Sequence, residues 1–495
     1  MKRTCQVAAI AGAAFAVLFS APSKVRAQTA DTHGGETSPN DALRMGEWSL
    51  RPLLELRTRA EARRNPFDTG GFVRASDTQT VIGGRIWTPA VENQWFVHER
   101  ARIGLAAERG ALRAVVQMQD ARAWGDTPPM QVDGRDVSPA TSVKLAYAEV
   151  REQTPKGSFL RVGRQEIQWG EGRLLGRSDW SLTGRSLDAA RGVYVIGSFD
   201  LEGFSSILSM PGALPPAVSR SGEMAPTATE PEGPGAQLHG ARVAWHVAPL
   251  LAIELQSLAR FVRQPAPSQL TPSDLYVAGL RASGRSQRFE YSAEGAYQFG
   301  RVASVGENVS IRAFAGAARA ELTTGPFWKM RIGVQGAYAS GQKPGEQSIT
   351  RFDPILPDVH TTHGPMGLYA WSNVIEGAGW LRFVPFRESQ LLLGYRYVAL
   401  ARPSDTWTSA SLVRIGTLED NTSRHLGHEL DACFRWSPWG PLALGAGYGA
   451  FVTGDGAKAI LHAQGRGSPD LQHFGYVQAT LMMKSGGWRG GGGPR

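Results

Sequence analysis

The residues of this chain that are best suited to chemistry are arginines gathered in one stretch, Phe159 to Arg191. The charged residues of this stretch are six arginines and four acids: Arg161, Arg164, Arg173, Arg177, Arg185, Arg191, Glu166, Glu171, Asp179 and Asp188. An arginine keeps its charge at any physiological pH and can bind a carboxylate through two parallel hydrogen bonds. Alternating, strand-like residues enter and leave the stretch, and the part between them is rich in Gly, Arg and Trp. The pattern indicates either a pore wall that attracts anions or an arginine–acid ladder that braces a protein interior.

Further arginines fall on the polar faces of alternating segments elsewhere in the chain. We expect the pore-lining or anion-binding group to consist of Arg100, Arg102, Arg113, Arg161, Arg164, Arg173, Arg191 and Arg331. A ring of such cations would raise the local concentration of polyanions and repel cations. Acids are available to neutralise them, namely Glu290, Glu294, Glu429 and Asp431. If neutralisation were complete, the same arginines would be struts, so both interpretations stay open.

Other kinds of chemistry have little support in the sequence. The mature chain would keep a single cysteine, Cys433, which excludes an intrachain disulfide and a cysteine-based metal site. His360 and His363 form a spaced pair, but too few other ligands lie near them to favour a metal site. No G-x-S-x-G motif occurs, and nothing singles out a nucleophile. We therefore expect no enzyme activity, no cofactor, no metal and no nucleic-acid partner.

The N-terminus predicts export. Lys2 and Arg3 precede an apolar run, Val7 to Phe19, whose length fits a signal peptide better than a membrane span. The sequence Val25-Arg26-Ala27 offers a cleavage site after Ala27. We predict that residues 1–27 are a signal peptide and that residues 28–46 form a flexible periplasmic lead-in.

The elements that must position the arginines are strands with a period of two. Val97, Ala101 and Ile103 share one face of such a segment, and Arg100 and Arg102 share the other. One face suits lipid and the other suits water, which is typical of a transmembrane β-barrel. We predict eighteen strands, at 47–58, 93–107, 111–120, 142–152, 157–168, 189–199, 201–210, 236–248, 250–262, 274–284, 286–300, 308–322, 326–340, 373–386, 388–400, 424–436, 440–453 and 471–483.

The connections between these segments support the same fold. Those after even-numbered strands are short, and those after odd-numbered strands are mostly long: 59–92, 121–141, 169–188, 211–235, 341–372, 401–423 and 454–470. Short periplasmic turns that alternate with long outer loops are typical of bacterial outer-membrane barrels. The prediction is an all-β, antiparallel barrel over residues 47–483 and a disordered tail over 484–495. Eighteen strands would leave an aqueous channel unless loops fold inward, and 211–235 and 454–470 look mobile.

Three ordered groups of residues resemble one known family. The residues concerned are Gln119, Asp120, Arg122 and Trp124, then Gly163, Arg164, Gln165, Arg173, Asp179, Trp180, Asp188 and Arg191, and finally Phe352, Pro354, Pro357, His360, Gly364, Trp371 and Asn373. They are similar to the motifs of the alginate-export-type outer-membrane β-barrels. Leu187 stands where that family usually has an aromatic residue, and Thr362-His363-Gly364 departs from its usual turn.

The resemblance implies a barrel of about eighteen strands in the outer membrane of a Gram-negative bacterium, through which an anionic exopolysaccharide passes. A polymer fed from the periplasm would need a periplasmic scaffold or synthase complex as partner. Outer-membrane lipid would surround the barrel, and we expect a monomer, because the sequence offers no obvious trimer-forming loop. Because the motif includes Arg164, whose parity is opposite to that of Arg161, we expect a bulge at Gly163 to turn Arg164 inward, toward an acid within 166–188. The alternative is a diffusion porin that takes up small anions or oligosaccharides.

Overall fold

The computed structural model describes most of the chain. It covers residues 43–65, 80–82, 85–87, 93–125, 141–154, 157–209, 235–248, 250–263, 273–303, 308–325, 327–410, 412, 414–416, 421–463 and 470–483. The predicted signal peptide, most of the predicted lead-in and the predicted tail lie outside these residues. The last part of the lead-in is a short strand, Leu43–Met45, which pairs with the first residues of the barrel.

Eighteen antiparallel strands form a closed barrel, which we number β1 to β18. Their bounds are β1 Trp48–Arg64, β2 Asn93–Arg109, β3 Leu112–Gly125, β4 Thr141–Arg151, β5 Phe159–Gln165, β6 Leu187–Ile196, β7 Phe199–Ser209, β8 Ala236–Ala248, β9 Leu251–Val262, β10 Ser273–Arg285, β11 Phe289–Ala303, β12 Asn308–Thr323, β13 Arg331–Ala339, β14 Val374–Phe383, β15 Ser389–Leu400, β16 His425–Trp439, β17 Leu442–Thr453 and β18 Leu471–Met483. Each strand pairs with the next, and β1 pairs with both β2 and β18, which closes the sheet. The predicted fold and its eighteen strands are confirmed, one strand for each predicted segment.

Closure of the barrel explains why strands can cross lipid at all. The membrane interior offers no water to unpaired backbone groups, so each strand must find a hydrogen-bonding neighbour on both sides. Side chains then alternate between lipid and lumen, as the sequence predicts for β2. Ile103 points outward with 66% of its side-chain surface exposed, whereas Arg100 and Arg102 point inward with 3% and 5%.

Aromatic side chains mark the two rims of the lipid-facing wall. At the rim with the short turns lie Trp245, Trp328, Phe386, Trp436 and Trp439; at the opposite rim lie Phe261, Tyr276, Phe299, Phe314, Tyr338 and Tyr397. Aromatic belts of this kind sit at the lipid headgroup level. The rim with the long connections is the extracellular one in this class of barrel.

Two of the long connections that were predicted as outer loops fold into the lumen. We call them loop A, residues 166–186 between β5 and β6, and loop B, residues 340–373 between β13 and β14. Their apolar side chains are buried inside the barrel, among them Trp169, Leu175, Phe352 and Trp371. The hydrophobic core of the described structure therefore lies within the lumen.

Part of a third connection, 454–470, which the sequence predicts as mobile, forms a helix at the outer mouth. Helix Asp455–Ala463 buries Ala457, Ile460 and Leu461. Gly416, which follows the short strand Arg414–Ile415, would clash with Ile460 if it carried a Cβ atom. The other segment predicted as mobile, 211–235, lies almost wholly outside the described residues. In the described part of the chain, no helix has the length and apolar character needed to span a membrane.

The wall assignment predicts the effect of a charge on the lipid face. Val334 is 58% exposed on the outer face of β13, and along the chain it lies between Trp328 of the short-turn rim and Tyr338 of the opposite rim. Replacing Val334 by Arg should destabilise the folded barrel by about 2–4 kcal/mol, because the charge has no partner in hydrocarbon. The Val334→Ile variant, which keeps the position apolar, should fold as wild type does. Equal unfolding free energies for both variants in lipid vesicles would contradict the inward and outward assignment.

Candidate functional site

Loops A and B join each other in the lumen through backbone hydrogen bonds. Gly176 N donates to Leu356 O at 2.9 Å, Leu356 N donates to Leu174 O at 3.1 Å, and Asp358 N donates to Gly172 O at 2.8 Å. Glycine is required for this approach, because a Cβ at Gly176 would lie 2.6 Å from the Cβ of Asp358. The two loops therefore act as one plug.

Arginines of the wall hold loop A in place. Arg100 Nε donates to Glu55 Oε1 at 2.8 Å, and its Nη1 lies 3.2 Å from Asp179 of loop A. Arg102 Nη1 lies 3.1 Å from the same carboxylate, and its Nη2 donates to Thr183 O at 2.8 Å. Arg57 adds two hydrogen bonds of 2.7 Å, to the carbonyl oxygens of Asp179 and Ser181. Arg100 and Arg102 thus lie in the lumen as predicted, but they bind the chain's own acids and carbonyls.

The arginines around Asp179 fix its charge. Partial burial acts to raise the pKa of its carboxyl group, but the guanidinium groups of Arg100, Arg102 and Arg57 outweigh burial and hold the pKa well below its usual range. The side chain keeps 52% of its surface exposed, so the cations, not a dry environment, decide its state. At neutral pH loop A therefore presents a permanent negative charge to the arginines of β1 and β2.

A second contact anchors both loops at Trp180. Its ring stacks on His360 of loop B at 3.7 Å between centroids, with 9° between the ring planes. Arg59 of β1 lies over the other part of the indole at 3.8 Å and donates through Nη1 to Trp180 O at 2.7 Å. Burial and the nearby Arg59 lower the pKa of His360 from 6.5 to about 3. His360 is thus neutral at physiological pH.

Arg173, predicted to bind anions, is a strut within the plug. Its Nε lies 2.5 Å from Glu294 of β11, and its Nη2 lies 3.2 Å from Glu171 and donates to Gln335 of β13 at 2.8 Å. Only 1% of its side chain is exposed. With carboxylates on two sides and no open surface, it has no room for a solute.

The remaining cations of the central stretch line a cavity between loop A and the wall. This cavity has a volume of about 390 Å³ and is lined by Leu145, Tyr147, Arg161, Glu166, Gln168, Gly170, Arg177 and Arg191. Arg161 and Arg191 are each backed by one acid of the wall, Glu149 and Glu202 respectively. Arg177 is 47% exposed, and its acid partner Glu166 lies 3.8 Å away. Three cations and one acid thus face this space, which is therefore a candidate site for an anion.

A larger concavity, of about 1420 Å³, lies on the other face of the same strands. Its lining includes outward side chains such as Leu160, Tyr194, Val243 and Leu255. Lipid chains cover this wall, so the concavity is no part of a passage through the barrel.

Arg113 and Arg331 lie near the periplasmic ends of their strands and point inward, as predicted. Arg113 Nε lies 3.4 Å from Glu108, and Arg331 Nη1 lies 3.2 Å from Glu321. Their side chains are 27% and 33% exposed, more than the arginines that hold the plug.

Arg164 does not line the lumen, and the prediction for it is wrong. It shares the outward parity of Leu160 and Val162, which are 57% and 56% exposed. Gly163 has a φ of +122° and approaches β4 so closely that a Cβ would lie 2.2 Å from Ala146 O, but this irregularity does not rotate the next side chain inward. The predicted acid partner within 166–188 does exist: Asp188 lies 3.0 Å from Arg164 Nη1, on the outer wall.

The other residues of the family-like motifs mostly position the plug and the outer rim. Gln119 accepts from Arg102 at 2.8 Å, Gln165 donates to Ala189 O at 2.9 Å, and Asn373 donates to Arg402 O at 3.0 Å and to Thr406 O at 3.1 Å. Trp371 is fully buried and contacts Phe352 edge to face at 5.3 Å, while Gly364 adopts a φ of +99° beside Glu429. Pro354 and Pro357 flank the Leu356 contact with loop A. Asp120, Arg122 and Trp124 lie on the outer wall, where Arg122 pairs with Asp120 at 2.8 Å.

Sequence reasoning missed the arginines of β1. Glu55, Arg57, Arg59, Glu61 and Arg63 all point inward, and Arg57 and Arg59 are 5% and 1% exposed. The signal was available, because L-E-L-R-T-R-A-E-A-R alternates strictly, but the predicted strand ended at residue 58.

Comparisons with known proteins agree with this architecture. A sequence-family model described as Alginate export matches residues 55–207 and 256–470. Among solved structures, Acinetobacter baumannii OccAB1 aligns with a TM-score of 0.54 and 9% identity, over 88% of this chain and 96% of that one. Pseudomonas aeruginosa OccK11 (OpdR) aligns with a TM-score of 0.51 and 12% identity, over 88% and 96% of the two chains, and P. aeruginosa OccK5 (OpdH) with 0.50 and 11%, over 87% and 98%. At these identities the structural likeness shows the fold alone. The comparison with curated protein sequences gives no match.

The arginines of β2 should hold the plug closed. Replacing Arg100 and Arg102 by Gln should weaken the closed position of loop A by about 1.5–3 kcal/mol, because the half-exposed Asp179 loses its charge-assisted hydrogen bonds to both guanidinium groups. Single-channel recordings should then show larger and noisier conductance. Arg113→Gln, an inward arginine that does not touch the plug, serves as the control and should leave conductance steady. Quiet, unchanged channels in the double variant would contradict this role.

Acid should loosen the contact between loops A and B. A histidine whose pKa is lowered in the closed state stabilises that state above pH 6.5, and the stabilisation falls as pH drops toward about 3. At pH 5 the loss is about 2 kcal/mol for His360, counted at 1.36 kcal/mol per pH unit. Wild-type channels should therefore fluctuate more at pH 5 than at pH 7.5, and His360→Gln should remove most of this difference. His246→Gln, which changes an exposed wall histidine paired with Asp200, should keep it.

Proposed function

Because the chain belongs to the alginate export family, we propose that it is an outer-membrane channel through which an anionic exopolysaccharide leaves a Gram-negative cell. The observation that carries this proposal is the cavity in which Arg161, Arg177 and Arg191 face a single acid, Glu166. The lumen also offers partly exposed cations at the periplasmic end, Arg113 and Arg331. An anionic polymer that enters from the periplasm would meet these residues first.

The cavity suits transient binding of sugar carboxylates. Arg161 and Arg191 keep 16% and 15% of their side chains exposed while an acid behind each fixes its orientation. A guanidinium that is half neutralised in this way attracts a carboxylate without holding it tightly, which a conducting pathway requires. Tyr147 forms an aromatic floor, over which Arg161 lies at 4.3 Å. No bond is made or broken in this mechanism; the residues steer and pass the polymer on.

The plug sets a further condition for transport. Loops A and B occupy the lumen, so a polymer passes only along their side or after they shift. A periplasmic scaffold or synthase complex that feeds the chain would supply the polymer and the force. Ionic contacts such as that of Arg100 with Asp179 are able to release and re-form, whereas a covalent link would not.

A second candidate is a diffusion porin for small anions or oligosaccharides. The size of the arginine cavity favours it, because 390 Å³ falls within the range of small-molecule sites and exceeds the needs of an ion. The same cations would serve either solute.

The test is the ion preference of the reconstituted channel. Replacing Arg161 and Arg191 by Gln leaves Glu149 with Arg151 alone, at 3.8 Å, and Glu202 with Arg242 alone, at 2.7 Å. Reversal potentials across a salt gradient should shift toward cation preference, and the shift should shrink at 1 M salt, where the Debye length is about 3 Å. Arg164→Gln, on the same strand but on the lipid face, is the matched control and should change nothing.

Polymer length separates the two candidates. An export channel should be blocked by long polyuronate added from the periplasmic side, and the Arg161→Gln and Arg191→Gln double variant should be blocked less. A diffusion porin should pass short oligosaccharides and ignore the polymer. Unchanged anion preference in the double variant would contradict both candidates.

A further inference from the structure

A cationic patch lies on the outside of the barrel, at the extracellular rim of strands β9 to β12. Arg263 follows the end of β9, Arg301 lies near the end of β11, and Arg312 lies near the start of β12. All three side chains are exposed and share the outward parity of neighbouring apolar residues. With Asp274 of β10, the only acid on this outward face within the described part of these strands, the patch carries three positive charges and one negative charge.

Arg301 and Arg312 differ in their partners from two other outward arginines of this rim. Arg122 and Arg164 are each neutralised by an acid of their own wall, Asp120 at 2.8 Å and Asp188 at 3.0 Å. In the patch, Asp274 pairs with Arg263. Among the residues that the structure describes, neither Arg301 nor Arg312 has an acidic partner.

Aromatic rings beneath the arginines fix the depth of the patch. Phe261 and Tyr276 lie 5.8 Å apart, and Tyr276 stacks on Phe299 at 5.3 Å. Arg263 lies over Phe261 at 5.2 Å, and Arg312 is the direct register partner of Phe299. Because such aromatic rings lie at the lipid headgroup level, the arginines stand at the height of the headgroups and not in hydrocarbon.

Register brings the two unpartnered arginines within reach of one ligand. Arg301 pairs with Ser310, and Arg312 is two residues further along β12 on the same face. Neighbouring strands lie about 4.8 Å apart, so diagonal side chains of this length converge on one group. Two guanidinium groups above an aromatic floor match a phosphate ester whose acyl chains lie against the rings.

We propose that this patch, Arg301 and Arg312 supported by Arg263 and its aromatic floor, binds a phosphate of the lipid A glycolipid in the outer leaflet. The outer leaflet is the membrane layer at this height, and its phosphate groups carry the charge opposite to that of these arginines. The lipid then fills a defined position on the wall instead of forming a uniform solvent around it.

The experiment compares lipid A species on the full-length barrel. Native mass spectrometry of the detergent-purified protein should show bound bisphosphorylated lipid A, and Arg301→Gln with Arg312→Gln should weaken that binding about tenfold for each arginine removed. The matched control, Arg122→Gln with Arg164→Gln, removes two outward arginines that already have acids, and it should retain the lipid. Equal loss in both double variants would overturn the proposal.

Two further measurements do not depend on the folding of a variant. Wild-type protein should prefer lipid A with both phosphates over the same glycolipid with its phosphates removed, and equal affinity would overturn the proposal. Millimolar inorganic phosphate should fail to displace the lipid, because it lacks the acyl chains that lie on the aromatic floor. Displacement by phosphate alone would show a simple anion site and overturn the assignment to a lipid.

Discussion

The structure depends on one electrostatic constraint: a charged side chain inside a barrel must find an opposite charge or a full set of hydrogen bonds. The inner wall carries arginines from β1 around to β15, and their partners come from the wall and from the two lumen loops. Asp179 shows the principle most clearly, because its carboxylate binds Arg100 and Arg102 while its backbone carbonyl accepts a hydrogen bond from Arg57. The plug is therefore held by the same charges that would draw an anion into an empty pore.

This constraint divides the arginines into two groups with different roles. Those with acids on two sides, such as Arg102 and Arg173, are closed to solutes and fix the plug. Those with one acid behind them and an open side, such as Arg161 and Arg191, keep the capacity to meet a passing carboxylate. The number and placement of nearby acids decide the role, and the arginine side chain itself does not.

The sequence was sufficient to predict the strands of the wall but not the two loops that fill the lumen. Strict alternation in β2, where Arg100 and Ile103 take opposite faces, is a local signal, and the order of short and long connections is readable without any contact. The plug depends instead on contacts such as that between Leu175 and Leu356. These two residues are far apart in the chain, and their contact produces no periodic pattern in the sequence. In the sequence, apolar residues such as Trp169 cannot be told from ordinary loop residues, because only the surrounding barrel buries them. The prediction for Arg164 was wrong for a different reason. Its place in the family motif was taken to indicate the lumen, whereas its parity on β5 already placed it on the outer face.

The closure of the barrel bears on the contacts that Arg57 and Arg59 make with loop A. Because β1 pairs with β18, the first and last strands of the barrel lie side by side, and their junction is the seam of the barrel. Arg57 and Arg59, which hold the carbonyl oxygens of Asp179, Trp180 and Ser181, sit on the seam strand itself. If β1 were not paired with β18, one side of β1 would have no neighbouring strand. Loop A would then lack a fixed anchor at Arg57 and Arg59. Part of the anchoring of loop A therefore comes from the strand that closes the barrel, so the position of the plug depends on closure along this seam.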